Sequence, residues 1–177
     1  MKKYFSLTAG AVILVVIFGT MYALVQQDLR QSANDPQVQL AYDAASRLAS
    51  GATPDSLVPE KSDVTSSLAP FLVIYDKTGK AVAGSGTLDG VFPVMPLGVL
   101  QAADREGYHA VTWQPKSNVR LASATVAGKD YYVVSARSLY LVEKREEQTG
   151  ILATIGLAAS LILFIFFVAL PLRLKAT

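Results

Sequence analysis

Two uncharged apolar runs bracket the chain and limit what it can fold into. Residues 4–25 carry no charge over 22 positions, and residues 151–170 carry none over 20. At about 1.5 Å per helical residue, each run reaches across a hydrocarbon core of roughly 30 Å. The first is longer than the roughly 7–15 apolar residues of a cleaved signal peptide. Its exit, Met21-Tyr22-Ala23-Leu24-Val25, also lacks small residues in a cleavage pattern. The first run therefore reads as an uncleaved signal anchor and the second as another span. Small residues four apart, Ser6 and Gly10 in one run and Gly156 and Ser160 in the other, would let the two helices approach closely.

Charge then orients these spans. Lys2 and Lys3 precede the first, Arg173 and Lys175 follow the second, and every acidic residue lies between them. The positive-inside rule places both termini in the cytoplasm and the middle outside the cytoplasmic membrane. Lys144-Arg145 stands near the second span, but among Glu143, Glu146 and Glu147 on a long loop, where charge counts less. The expected division is 1–25 (stub and first span), 26–149 (outer domain of 124 residues) and 150–177 (second span and tail). Within 26–149, 12 Lys and Arg face 14 Asp and Glu, so the formal +2 and pI near 8.8 come from the tails. That distribution excludes nucleic acid as a partner and leaves the lipid bilayer as the first one. The absence of cysteine excludes disulfide scaffolds, thiol catalysis and thiolate metal sites.

The middle segment reads as α+β. Residues 26–33 are polar, and Asn34-Asp35-Pro36 offers a cap followed by proline at a first helical position, which predicts a new helix there. Val38, Ala41, Ala45 and Leu48 form its apolar face, and Gly51 ends it. Residues 51–69 read as a loop with a short helical turn. Phe71-Leu72-Val73-Ile74-Tyr75, the turn Asp76-Lys77-Thr78-Gly79 and Lys80-Ala81-Val82-Ala83-Gly84 make a hairpin. After a glycine-rich loop, a helix is expected over 96–106, closed by Gly107. Strands at 109–113, 119–126 and 131–136 follow as a meander, and Ser138 caps a helix running into the second span. Five short strands with short turns fit one antiparallel sheet with packed helices.

This arrangement resembles the extracytoplasmic Cache (PAS-like, PDC) sensor domains of bacterial chemoreceptors and sensor kinases. The likeness rests on a spanning helix feeding a stalk, a first hairpin with Asp76-x-x-Gly79, a helix, a three-stranded meander and a return helix into the second span. It covers 26–149 and implies a five-stranded PAS/Cache-like sheet in a sensing or ligand-binding role. Only Pro171 to Thr177 follow the second run, so the resemblance implies that signal transduction passes through another membrane protein, or that binding itself is the function; a membrane protein or a second copy in a homodimer is the expected partner.

Catalytic and metal patterns are thin. Gly84-Ser85-Gly86-Thr87-Leu88-Asp89-Gly90 fails the dinucleotide spacing and has no following Lys-Ser/Thr for a P-loop, so it reads as a flexible loop. His109 is the only histidine, and no Gly-x-Ser-x-Gly elbow is present. The expectation is no enzyme, no cofactor and no metal. One pattern points to a ligand. Alternation on 119–126 puts Arg120 on a face with Ala122, Ala124 and Val126, a cation beside small residues that leave space over the sheet. Arg suits a carboxylate or phosphate. Arg137 closes the last strand, and Trp113, Tyr131 and Tyr132 are the expected walls of a site for a small anionic ligand. The competing expectation is that Arg120 stacks on Trp113 and the alanines accept a covering helix. A separate reading of the whole chain is a structural or assembly subunit of a membrane complex that uses its outer domain as a protein-interaction platform.

Overall fold

The computed structural model describes residues 2–58 and 60–174 and is α+β. Lys175 lies outside these residues, as do the side chains of Lys2, Lys3, Ser6 and Arg173 used in reading charge and helix contact. The chain divides into two compact units. One is formed by the residues up to Leu29 with those from Glu143 onward, the other by Arg30–Val142.

Helix α1 (Lys2–Ala49) is a single helix of 48 residues. The break expected at Asn34-Asp35-Pro36 does not occur, and Pro36 lies inside the helix. Its ring nitrogen has no hydrogen to donate to the carbonyl four residues back, that of Ser32. Both residues are on the exposed side, where solvent can reach that carbonyl. On the opposite side Ala33, Gln37, Ala41 and Ala44 are buried, and this packing carries the helix past the proline. Gly51, at φ +95°, ends α1 as the sequence predicts. Its N–H donates to the Leu48 carbonyl and that of Ala52 to the Arg47 carbonyl, both at 3.0 Å, the paired bonds of a Schellman cap.

A one-turn 3-10 helix, Pro54–Leu57, follows. Strands β1 (Ser62–Asp63) and β4 (Gly86–Thr87) then make a small parallel ladder. The loop expected at the glycine-rich segment is thus partly ordered pairing. Gly86 is required there, because a Cβ would run into the Phe71 ring. The main sheet has five antiparallel strands in the order β3-β2-β7-β6-β5: β2 (Phe71–Asp76), β3 (Ala81–Gly84), β5 (Tyr108–Lys116), β6 (Val119–Ala127) and β7 (Tyr131–Ser138). The Asp76 turn forms as expected. Asp76 Oδ1 accepts from the Thr78 and Lys80 N–H groups at 2.9 and 3.0 Å, with Gly79 at φ +87°. Helix α2 (Leu97–Glu106) ends at Gly107, and α3 (Tyr140–Leu174) begins one residue, Leu139, after β7.

Strand alternation gives the sheet two distinct faces. Phe71, Val73, Tyr75, Trp113, Leu121, Tyr132 and Val134 form one core with Met95 and with Leu100 of α2. Leu72, Ile74, Ala83, Val126 and Val133 form the other with Ala41 and Ala44 of α1.

In the first unit, parts of α1 and α3 pack through glycines facing aromatic rings. Gly10 lies under Phe164, and a Cβ on Gly156 would come within 2.8 Å of the Phe18 ring. Gly150 sits against Tyr22, whose hydroxyl accepts from Gln26 Nε2 at 2.8 Å. Both helices contain stretches long and apolar enough to cross a membrane, with none of that stretch buried.

Candidate functional site

The five residues expected to line one ligand site lie on two faces of the sheet. Trp113 pairs with Leu121 across β5 and β6, so it shares the α2 face with Leu121, not the face of Arg120. Tyr132 is also on the α2 face. Its hydroxyl donates to Asp104 Oδ2 at 2.6 Å, while Lys77 Nζ sits 4.0 Å above its ring and 3.1 Å from Asp104 Oδ1. The Tyr132 hydrogen bond, then Lys77, holds the Asp104 carboxyl below the usual range. The same bond pushes the Tyr132 phenol up. Tyr75 fills this face from the other side, with its hydroxyl donating to the Pro93 carbonyl at 2.6 Å and its phenol pushed up by burial. The α2 face is therefore packed with large side chains.

Arg120, Tyr131 and Arg137 belong to the α1 face. Arg120 is exposed, and its carbonyl accepts from the Leu139 N–H at 2.9 Å. Tyr131 lines a cleft of about 60 Å³ with Ala45, Leu48, Lys129 and Asp130. A second cleft of about 160 Å³ lies between α1 and β2, lined by Leu40, Ala44, Arg47, Leu57 and Phe71. Both are smaller than the roughly 300–1,000 Å³ of a site that engulfs a drug-sized ligand. Ala122, Ala124 and Val126 do share Arg120's face, and they are buried. The space expected above them is taken by α1. Ala124 pairs with Ser135, whose hydroxyl donates to Gln37 Oε1 on α1 at 2.7 Å, and Val126 packs with Ala41 and Ala44. The pair Arg120 and Trp113 is not brought together, because the two lie on opposite faces.

The notable chemistry on the α1 face comes from residues that apolar periodicity passes over. Gln37 is 0% exposed, and its Nε2 has no hydrogen-bond partner among the described residues. Arg137, half-buried on the same face, has a buried Nε in the same condition. Both atoms are donors, so this face holds two buried N–H groups without an acceptor among the described residues. The available signal was a buried stripe at 33, 37, 41 and 44, visible only if a glutamine is allowed on it.

Elsewhere, His109 Nδ1 lies 2.6 Å from Glu106 Oε2 at the surface. Among the described residues no group of three or more His, Asp or Glu is placed to hold a metal. No family model matches this chain, and neither a curated protein nor a solved structure matches it.

Proposed function

We propose that the chain is a noncatalytic, membrane-anchored sensing and ligand-binding protein, with a Cache-like middle domain outside the cytoplasmic membrane and both termini in the cytoplasm. It passes its state to a separate membrane partner. The observation that carries this reading is that one helix does two jobs. α1 supplies an apolar stretch fit for a bilayer and, further along, the ridge Ala33, Gln37, Ala41 and Ala44 buried on the sheet. A ligand that changes how the α1 face packs acts on the same helix that carries the apolar stretch. The element order supports the Cache-like assignment: long helix, hairpin, helix, three-stranded meander and return helix.

The test is thermal unfolding of the full chain in lipid nanodiscs against a panel of small carboxylates, phosphates and amines. A cognate ligand raises stability with concentration, by about 2.7 kcal/mol at one hundred times its Kd. A panel that produces no dose-dependent rise counts against sensing. The interaction-platform reading has its own support, an exposed apolar loop with Val91 67% and Val94 80% accessible, next to Leu97. On that reading, Val94→Glu abolishes co-purification of a membrane partner while leaving the melting temperature unchanged.

A further inference from the structure

We propose that a single small anion, the size of chloride or a carboxylate group, binds between α1 and β7 and accepts from Gln37 Nε2 and Arg137 Nε. Neither atom has an acceptor among the described residues, although both are buried. Buried N–H groups in folded proteins are almost always paired, so two unpaired ones on one face call for an acceptor. The register places the two side chains together. Ala41 packs in the same cluster as Val133, and Gln37 is bonded to Ser135. One step of four residues back along α1 covers about 6 Å, and two residues forward along β7 cover roughly 6.7 Å, so the helix and strand keep pace. The next step sets Ala33 opposite Arg137. Ala33 is buried and offers only a methyl group, so α1 supplies no acceptor at that step. Ser135 already occupies Gln37 Oε1, so the amide nitrogen is the part left to face Arg137. Arginine stays protonated at any working pH, so the acceptor drawn to this space is negative.

The site differs from the five-residue grouping read from sequence, since Trp113, Tyr132 and exposed Arg120 take no part in it. It also stands apart from the sensing reading. A ligand that binds equally well without Gln37 and Arg137 keeps sensing and removes this site.

The experiment uses the full chain in nanodiscs, in a zwitterionic buffer, with sodium chloride, acetate and phosphate titrated at matched ionic strength. The expected result is a saturable rise in melting temperature with at least one of the three, and the arm that saturates at lowest concentration names the anion. Arg137→Lys keeps the charge but has no Nε, and should flatten the saturable response. Gln37→Glu places a carboxylate oxygen where Nε2 was, still able to accept from Ser135. It should raise the melting temperature in anion-poor buffer and abolish the anion response, a gain that a misfolded variant cannot mimic. Three results overturn the proposal: a linear response to all salts alike, a saturable response that survives both substitutions, or a Gln37→Glu chain that is less stable than the parent in anion-poor buffer.

Discussion

The two faces of the same sheet are built on opposite principles. The α2 face is filled by Tyr75, Trp113, Met95, Leu100 and Tyr132, and its two buried phenols both have acceptors, the Pro93 carbonyl and Asp104. The α1 face sets the alanines of α1 against Leu72, Ile74, Val126 and Val133 and carries Gln37, Ser135 and Arg137 within it, with two N–H donors unanswered among the described residues against one hydroxyl, that of Thr125, on the α2 face. Stabilisation by burial scales with apolar area, at about 25 cal/mol per Å², so the face with large side chains dominates folding. Alanine gives α1 close approach to the sheet at little gain per residue. The first face holds the domain together, and the second is the one whose packing a small binding event can alter.

The largest test of this contrast is Trp113→Ala. Truncating a buried tryptophan typically costs about 3–5 kcal/mol, here on the face that bears the stability. Urea unfolding of the full chain followed by far-UV circular dichroism should show a large drop in midpoint. A loss under about 1 kcal/mol would mean that the α2 face is not the main core.

Next comes Ala41→Leu on the other face. Ala41 is fully buried under the sheet, and adding three carbons in a closed contact costs about 1–3 kcal/mol through displaced neighbours. Trp113, the only tryptophan, lies on the far face and reports unfolding by fluorescence without sensing the substitution directly. The contrast predicts that Ala41→Leu shifts α1 while leaving the native Trp113 spectrum unchanged. A changed native spectrum would show that the two faces are not independent.

What was legible in the sequence follows the same division. The Asp76 to Gly79 turn, the Gly51 and Gly107 helix ends and the antiparallel strands were readable because each depends on a few adjacent residues. Pro36 misled, since its local preference for a helix start is outweighed by burial of Ala33, Gln37, Ala41 and Ala44 on a sheet that lies far away in sequence. The β1 and β4 ladder is only two residues long on each side, too short for alternation to show. The grouping of Arg120 with Trp113 failed on register. The β5 and β6 pairing shifts between Trp113 and Lys116, so counting back from the turn does not tell which face Trp113 takes. Gln37 was hidden because a search for apolar residues at helical spacing discards a glutamine by construction.

The smallest expected effect concerns the polar edge of the α2 face and is best read by pH. Asp104 has its carboxyl held below the usual range, first by the Tyr132 hydroxyl and then by Lys77. A carboxyl whose folded pKa lies below its unfolded value contributes stability above the unfolded pKa, and that contribution is lost as pH falls through the folded value. Any contribution from Asp104 is therefore present at neutral pH and fades in the acid range, below the ordinary carboxyl value. The group is substantially exposed, so solvent screens it and the effect on overall stability is small. Tyr132→Phe removes the leading cause and keeps the ring under Lys77. Carboxyl NMR titration should then show Asp104 moving up towards the ordinary range, with Lys77 holding it partly down. An Asp104 titration unmoved by Tyr132→Phe would mean that the phenol does not donate to it in solution. The α2 face would then hold a second unanswered hydroxyl beside that of Thr125, and the contrast with the α1 face would narrow to side-chain size.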